Sequence, residues 1–271
     1  MAARLASVVI AVLAGAGIAT WLARPSTQAT GAAYVAPRTA DGKADLNGFW
    51  QAVGTAHWDI EGHAASAGPV RALGAAYSVP GGMGVVDAPI PYQDWARARR
   101  KENFDNRLTR DPEIKCYMPG VPRATYMPYP FQILQGVDKV LIAYEFADTT
   151  RTIHMGTVAD SPADTWMGWS RGRWEGDTLV VDVASFNDQT WLDRAGNFHS
   201  EALHVVERYT RTGPDHMAYE ARIEDPKVFT QPWTIRLPLY RRMEPGLRIL
   251  EHECYTFGLE HRWLTPPEGA R

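Results

Sequence analysis

Apolar and polar residues alternate along this chain in two regimes that meet near Tyr129. Beyond it, short runs rich in β-branched and aromatic residues recur at roughly ten-residue spacing, the signature of strands. They predict strands over 131–135, 140–146, 152–155, 202–211, 217–223, 233–240 and 247–255. Segments 167–174 and 178–183, joined by Glu175-Gly176-Asp177, form a further hairpin. Thr212-Gly213-Pro214-Asp215, Asp225-Pro226 and Glu244-Pro245-Gly246 mark turns between strands, and 185–197 reads as a loop. Ahead of Tyr129 the pattern is irregular. Residues 45–51 turn into a first strand that buries Phe49 or Trp50, and the small residues of 64–84 form a surface loop. A helix is predicted over 91–106, with Pro91 in its first turn and Trp95, Ala98 and Glu102 at helical spacing. Two prolines keep 116–123 extended or turning.

The strand faces are mixed. Within 202–211, Leu203, Val205, Glu207 and Tyr209 share one face, and His204, Val206 and Arg208 the other. In 247–255, Leu247 and Ile249 share a face with Glu251 and Glu253. Such faces suit an antiparallel closed β-barrel whose interior holds polar groups among aromatics, and ten Trp and eleven Tyr can line it or simply fill a core. The expected fold is mainly β: a barrel over 129–271, and an irregular extension over 32–128 with a first strand and one or two short helices.

The N-terminus changes the picture of compartment. Arg4 precedes an apolar run over 5–23, and small residues over 26–33 offer cleavage after Ala29 or Gly31. This is the layout of a secretory signal over 1–31. An uncleaved anchor is the rival, because the run approaches the ~20 residues that span a bilayer. Either way the protein is expected to be exported, periplasmic or secreted, with membrane contact only through that segment. There, Cys116 and Cys254 would form a disulfide closing a loop of roughly 140 residues; buried thiols or thiol ligands are the alternatives. A net charge of −3 and a pI near 6.2 give no reason to expect nucleic acid.

Trp166-Met167-Gly168-Trp169-Ser170-Arg171-Gly172-Arg173-Trp174-Glu175-Gly176-Asp177-Thr178-Leu179-Val180-Val181 resembles the signature of a group of uncharacterised exported bacterial proteins. Further matching pieces are 45–51, 116–123, Pro128-Tyr129-Pro130-Phe131, Phe186-Asn187-Asp188, His199-Ser200-Glu201-Ala202-Leu203-His204 and Pro232-Trp233. The resemblance implies a calycin-like or lipocalin-like barrel round a cavity, and carries no activity or catalytic set. Trp169 stands where that pattern leads one to expect histidine.

Candidate chemistry concentrates after the loop holding Asn187, Trp191 and Asp193. His199, Glu201, Asp193 and His204 are the candidate acid–base residues, since a histidine beside carboxylates can be tuned near neutral pH. The competing reading pairs Glu201 and His204 with neighbouring arginines. His199, Glu201 and His204 are also zinc or iron ligands by type, but five-residue spacing places the histidines on opposite strand faces. Tyr144, Glu145 and Arg151 suggest an interior Glu–Arg pair gripping a polar group, and Trp169, Asn187, Trp191, Trp233 and Glu251 complete the expected ligand-binding set. Gly168-Trp169-Ser170-Arg171-Gly172 spells a nucleophile elbow, but in a hairpin context that does not support one. No phosphate-cradling loop or haem-attachment motif occurs, so no cofactor is expected. These residues point to a cofactor-independent lyase or isomerase acting on an apolar or aromatic small molecule. A non-catalytic carrier of a hydrophobic ligand is the alternative, and a ligand-free assembly or surface protein the third reading.

Overall fold

The computed structural model describes residues 34–252 except 69–73 and 76–77. Nine strands close into one barrel in sequence order: β1 (Gly48–Ala52), β2 (Phe131–Gln135), β3 (Lys139–Tyr144), β4 (Thr150–Met155), β5 (Trp169–Glu175), β6 (Thr178–Ala184), β7 (His204–Arg211), β8 (His216–Glu224) and β9 (Trp233–Arg241). Helices α1 (Asp94–Asp105), α2 (Arg107–Arg110) and α3 (Arg123–Tyr126) accompany them.

Alternation decides which side chains enter the core. Along β7, Val205, Glu207, Tyr209 and Arg211 are buried while the residues between them are only half-buried. In β8 the inward set is Met217, Tyr219, Ala221 and Ile223, and in β9 it is Ile235, Leu237 and Leu239. Burying each large apolar side chain is worth about 1.5–3 kcal/mol, so this period-two pattern fixes the register.

Two details depart from the expected meander. First, β4 and β5 run parallel, with Ile153 opposite Ser170 and Met155 opposite Gly172. Residues 156–168 carry the chain back along the barrel before β5 begins. Gly172 permits the close pairing, since a Cβ there would overlap Met155 Sδ and Ile153 Cγ2. Second, no strand forms over 247–252. Both edges of β9 are taken, by β8 and β1, so a tenth strand has no free ladder to join. Instead Leu250 N donates to Glu145 Oε2 at 3.1 Å and His252 N to Asp148 Oδ1 at 3.2 Å.

The segment before Tyr129 belongs to the barrel's architecture. β1 sits between β2 and β9, so a boundary at 128/129 separates it from the eight strands it closes. α3 lies at the end of the barrel where β1, β3, β6 and β8 finish, called the upper end here. Its Ala124, Thr125 and Tyr126 are buried there with the preceding Val121. α1 buries Ala96 and Asn103, whereas Trp95 is 55% exposed.

The expected export segment lies among residues 1–33, outside the described residues, as do Cys254 and the rest of the 253–255 run. Among the described residues no helix is long and apolar enough to cross a membrane.

Candidate functional site

The four acid–base candidates occupy four separate settings. His199 is buried, and the carbonyl of Ser200, 2.8 Å from Nδ1, can only accept; Nδ1 therefore carries the proton and Nε2 receives the Thr190 hydroxyl at 2.6 Å. Burial lowers the pKa of His199, and neither nitrogen is available to a ligand. Asp193 is buried too. Its carboxylate accepts from Ile60 N (2.9 Å), Ala195 N (2.9 Å), Asn197 N (3.2 Å) and Asn197 Nδ2 (2.6 Å), pinning its own loop to the 57–61 segment. Burial, reinforced by Asp59, pushes it up to about 7. Glu201 is exposed and pairs with Lys227. His204 lies on the outer face of β7, its Nε2 2.9 Å from Asp182 Oδ2. Among the described residues no group of three or more His, Cys, Asp or Glu side chains is arranged to hold a metal ion.

The expected ligand-binding set divides more usefully. Tyr144 and Arg151 point into the barrel and are 3% and 2% exposed. Glu145 turns away to accept from Leu250 N, and Glu251 is exposed beyond β9. Trp169 stacks on His154 with ring centroids 4.5 Å apart, on the outward side of β4 and β5. Asn187 accepts from Gln189 N at 3.3 Å, closing a turn. Trp191 is buried in the loop opposite Phe198, and Trp233 packs edge-on against Phe229 at 5.3 Å.

Inside the barrel, Arg151 finds a different acid. Its Nη2 donates to Glu207 Oε2 from β7, and its Nε donates to Ser170 Oγ of β5 at 2.8 Å. The other oxygen of Glu207 receives two phenols, Tyr209 Oη at 3.0 Å and Tyr219 Oη at 2.7 Å. Thr125 of α3 reaches down to Tyr209, hydroxyl to hydroxyl at 3.5 Å. All these side chains are buried. Burial, then the charge of Glu207, pushes both tyrosines well above their ordinary range, and Glu207 holds Arg151 protonated against the effect of its own burial. Glu207, Tyr209, Tyr219, Ser170 and Thr125 were not among the sequence candidates. The inward face shared by Glu207 and Tyr209 was the available signal.

A second polar cluster anchors α3. Arg123 grips both Asp111 oxygens at 2.8 and 2.9 Å and Glu113 Oε2 at 2.5 Å, and Arg194 reaches Glu113 from the other side. Burial alone would raise Glu113, but Arg194 and Arg123 overrule it and hold the carboxyl at about 2. His57 lies beside them, lowered from 6.5 to about 3 by burial and then by Arg194. The unfolded chain therefore takes up this proton first, and His57 contributes stability above pH 6.5 that is lost as pH falls towards 3. The expected loss is of the order of 4 kcal/mol, and His57→Gln should flatten the fall in urea midpoint between pH 6.5 and 3. Equal acid sensitivity in the variant would refute it.

A cavity of about 220 Å3 opens at the upper end, walled by Ala52, Met83, Val85, Tyr126, Arg236 and Leu237 among others. Tyr126 and Thr125 are consecutive in α3. One walls this cavity and the other closes over the interior cluster. Comparison with protein-family models, with curated proteins and with solved structures gave no match.

Proposed function

We propose that this chain is an exported small-molecule-binding barrel, taking a largely apolar or aromatic ligand whose polar end reaches the Arg151–Glu207–tyrosine cluster. The observation that carries this reading is the ion pair at the centre of the barrel. A buried pair is often no more stabilising than apolar side chains of the same volume. Such a pair is weak evidence for stability alone, and buried titratable groups held far from their ordinary range are candidates for function; Tyr126, next to Thr125, walls the cavity of about 220 Å3. Entry past α3, from the cavity walled by Tyr126, would bring a ligand to Thr125 and Tyr209.

Binding is favoured over turnover because His199, Asp193, Glu201 and His204 do not converge. One observation keeps a lyase or isomerase reading open. Two phenols and a guanidinium on one carboxylate are hydrogen-bond donors that could polarise a substrate placed beside them.

Native mass spectrometry of the protein purified from its own host tests several expectations together. The mature mass should begin after Ala29 or Gly31, fall two hydrogens short of the reduced chain for a Cys116–Cys254 bridge, and carry a small apolar or aromatic adduct. A chain that stays empty after exposure to a broad aromatic library would end the binding reading.

A further inference from the structure

Two polar atoms inside the barrel have no hydrogen bond among the described residues: Arg151 Nη1 and Tyr144 Oη. Arg151 stands opposite Ile142 in the β3–β4 ladder, so Tyr144 is its diagonal neighbour on the same inward face. Burial raises the pKa of the Tyr144 hydroxyl, and weak hydrogen bonding with the nearby Arg151 and Thr125 offsets part of that rise, but no hydrogen bond of full geometry satisfies it. A guanidinium N–H can only donate, and a phenol is a strong donor. Leaving both unmet in a dry core carries a penalty that one shared acceptor would remove.

Charge restricts what that acceptor can be. Glu207 already neutralises Arg151, with Tyr209 and Tyr219 filling its other oxygen. A ligand carboxylate would give the cluster an uncompensated negative charge, costly so far from water. A neutral carbonyl oxygen has two lone pairs, accepts from both donors and adds no charge. The neighbouring inward side chains Phe131, Ile142 and Ile153 offer only apolar contact, with the Phe131 ring 5.4 Å from that of Tyr144. Resting on the binding-barrel reading above, we infer that Arg151 Nη1 and Tyr144 Oη form the recognition point for a carbonyl compound, a ketone, aldehyde or ester on an apolar or aromatic body.

The test titrates the mature full-length protein with acetophenone, ethylbenzene and benzoate, similar in size and differing at the recognised atom. Acetophenone should bind about tenfold or more tighter than either of the others, the scale of hydrogen bonds involving a charged donor. Tyr144→Phe keeps the ring and should weaken acetophenone several-fold while leaving ethylbenzene unchanged. The bound ketone's C=O stretch should fall in wavenumber and partly recover in that variant. Equal affinity for acetophenone and ethylbenzene, or a preference for benzoate, overturns the carbonyl assignment and leaves the binding reading standing. So does a crystal structure at saturating acetophenone in which one water still bridges the two donors. Binding of none of the three removes the binding reading itself.

Discussion

Arg123→Met is expected to destabilise the fold by about 3–5 kcal/mol, the cost of leaving buried carboxylates without their cation. Arg123 is 1% exposed and spans two acids, Asp111 and Glu113, which are themselves 1% and 0% exposed. Without it Asp111 keeps the N–H of Glu113 at 3.0 Å but no opposite charge, and Glu113 keeps Arg194 alone. Water cannot reach either acid to replace what is lost. Arg194→Met should cost clearly less, because the side chain of Arg194 is 21% exposed and solvent can take over part of its role. The urea midpoint at pH 7, with an unchanged m value, is the measurement. A loss below about 1 kcal/mol in the Arg123 variant would mean that the acids are neutral or that the site collapses around the gap. Acid provides a second readout. Glu113 is held at about 2, so its contribution is present above its unfolded pKa and disappears as pH falls towards 2. That decline should be much shallower in Arg123→Met.

The interior cluster should cost stability when broken singly and none when it is removed whole. Arg151→Met alone leaves Glu207 buried with two phenols and no cation, at an expected cost of about 3–5 kcal/mol. Replacing the set together, as Arg151→Met, Glu207→Leu, Tyr209→Phe and Tyr219→Phe, leaves no polar partner of Glu207 stranded. The quadruple variant is expected to match or exceed the parent in unfolding free energy while losing ligand binding. That combination separates a site kept for function from one kept for stability. A quadruple variant less stable than Arg151→Met would show that the cluster holds the barrel together.

These two clusters also show how far the amino-acid pattern could be followed. The hairpin at 167–183, the strand at 131–135 and the three strands between 202 and 241 were legible, because each is bounded by turn residues and alternates locally. The polar interior was legible in kind from Glu207 and Tyr209 sharing a face with Val205. Its pairing was not. Glu145 lies six residues from Arg151 and Glu207 lies 56 away, and only the closed ladder from β4 through β7 brings the distant acid inward. His199 misled for a related reason. A histidine among polar residues has the same spelling whether it faces a ligand or, as here, closes hydrogen bonds to Thr190 and Ser200. On α1, helical spacing alone did not show which side packs inward: Trp95 is 55% exposed and the helix rests on the smaller Ala96 and Asn103.

The parallel step between β4 and β5 has an arithmetical consequence. Around a closed ring of strands, each antiparallel neighbour reverses direction, and the reversals must be even in number for the ring to meet itself. Nine strands make nine pairings; eight are antiparallel and one is parallel, so the count comes out even. Residues 156–168 therefore hold the parity of the whole barrel. Were they shortened to a tight turn, β5 would reverse, and every later strand with it. β9 would then reach β1 running the wrong way, and the pairing of Trp50 with Arg241 could not form. The link must span the seven residues of β5, roughly 23 Å at 3.3 Å per residue, so it tolerates substitution and lengthening far better than deletion.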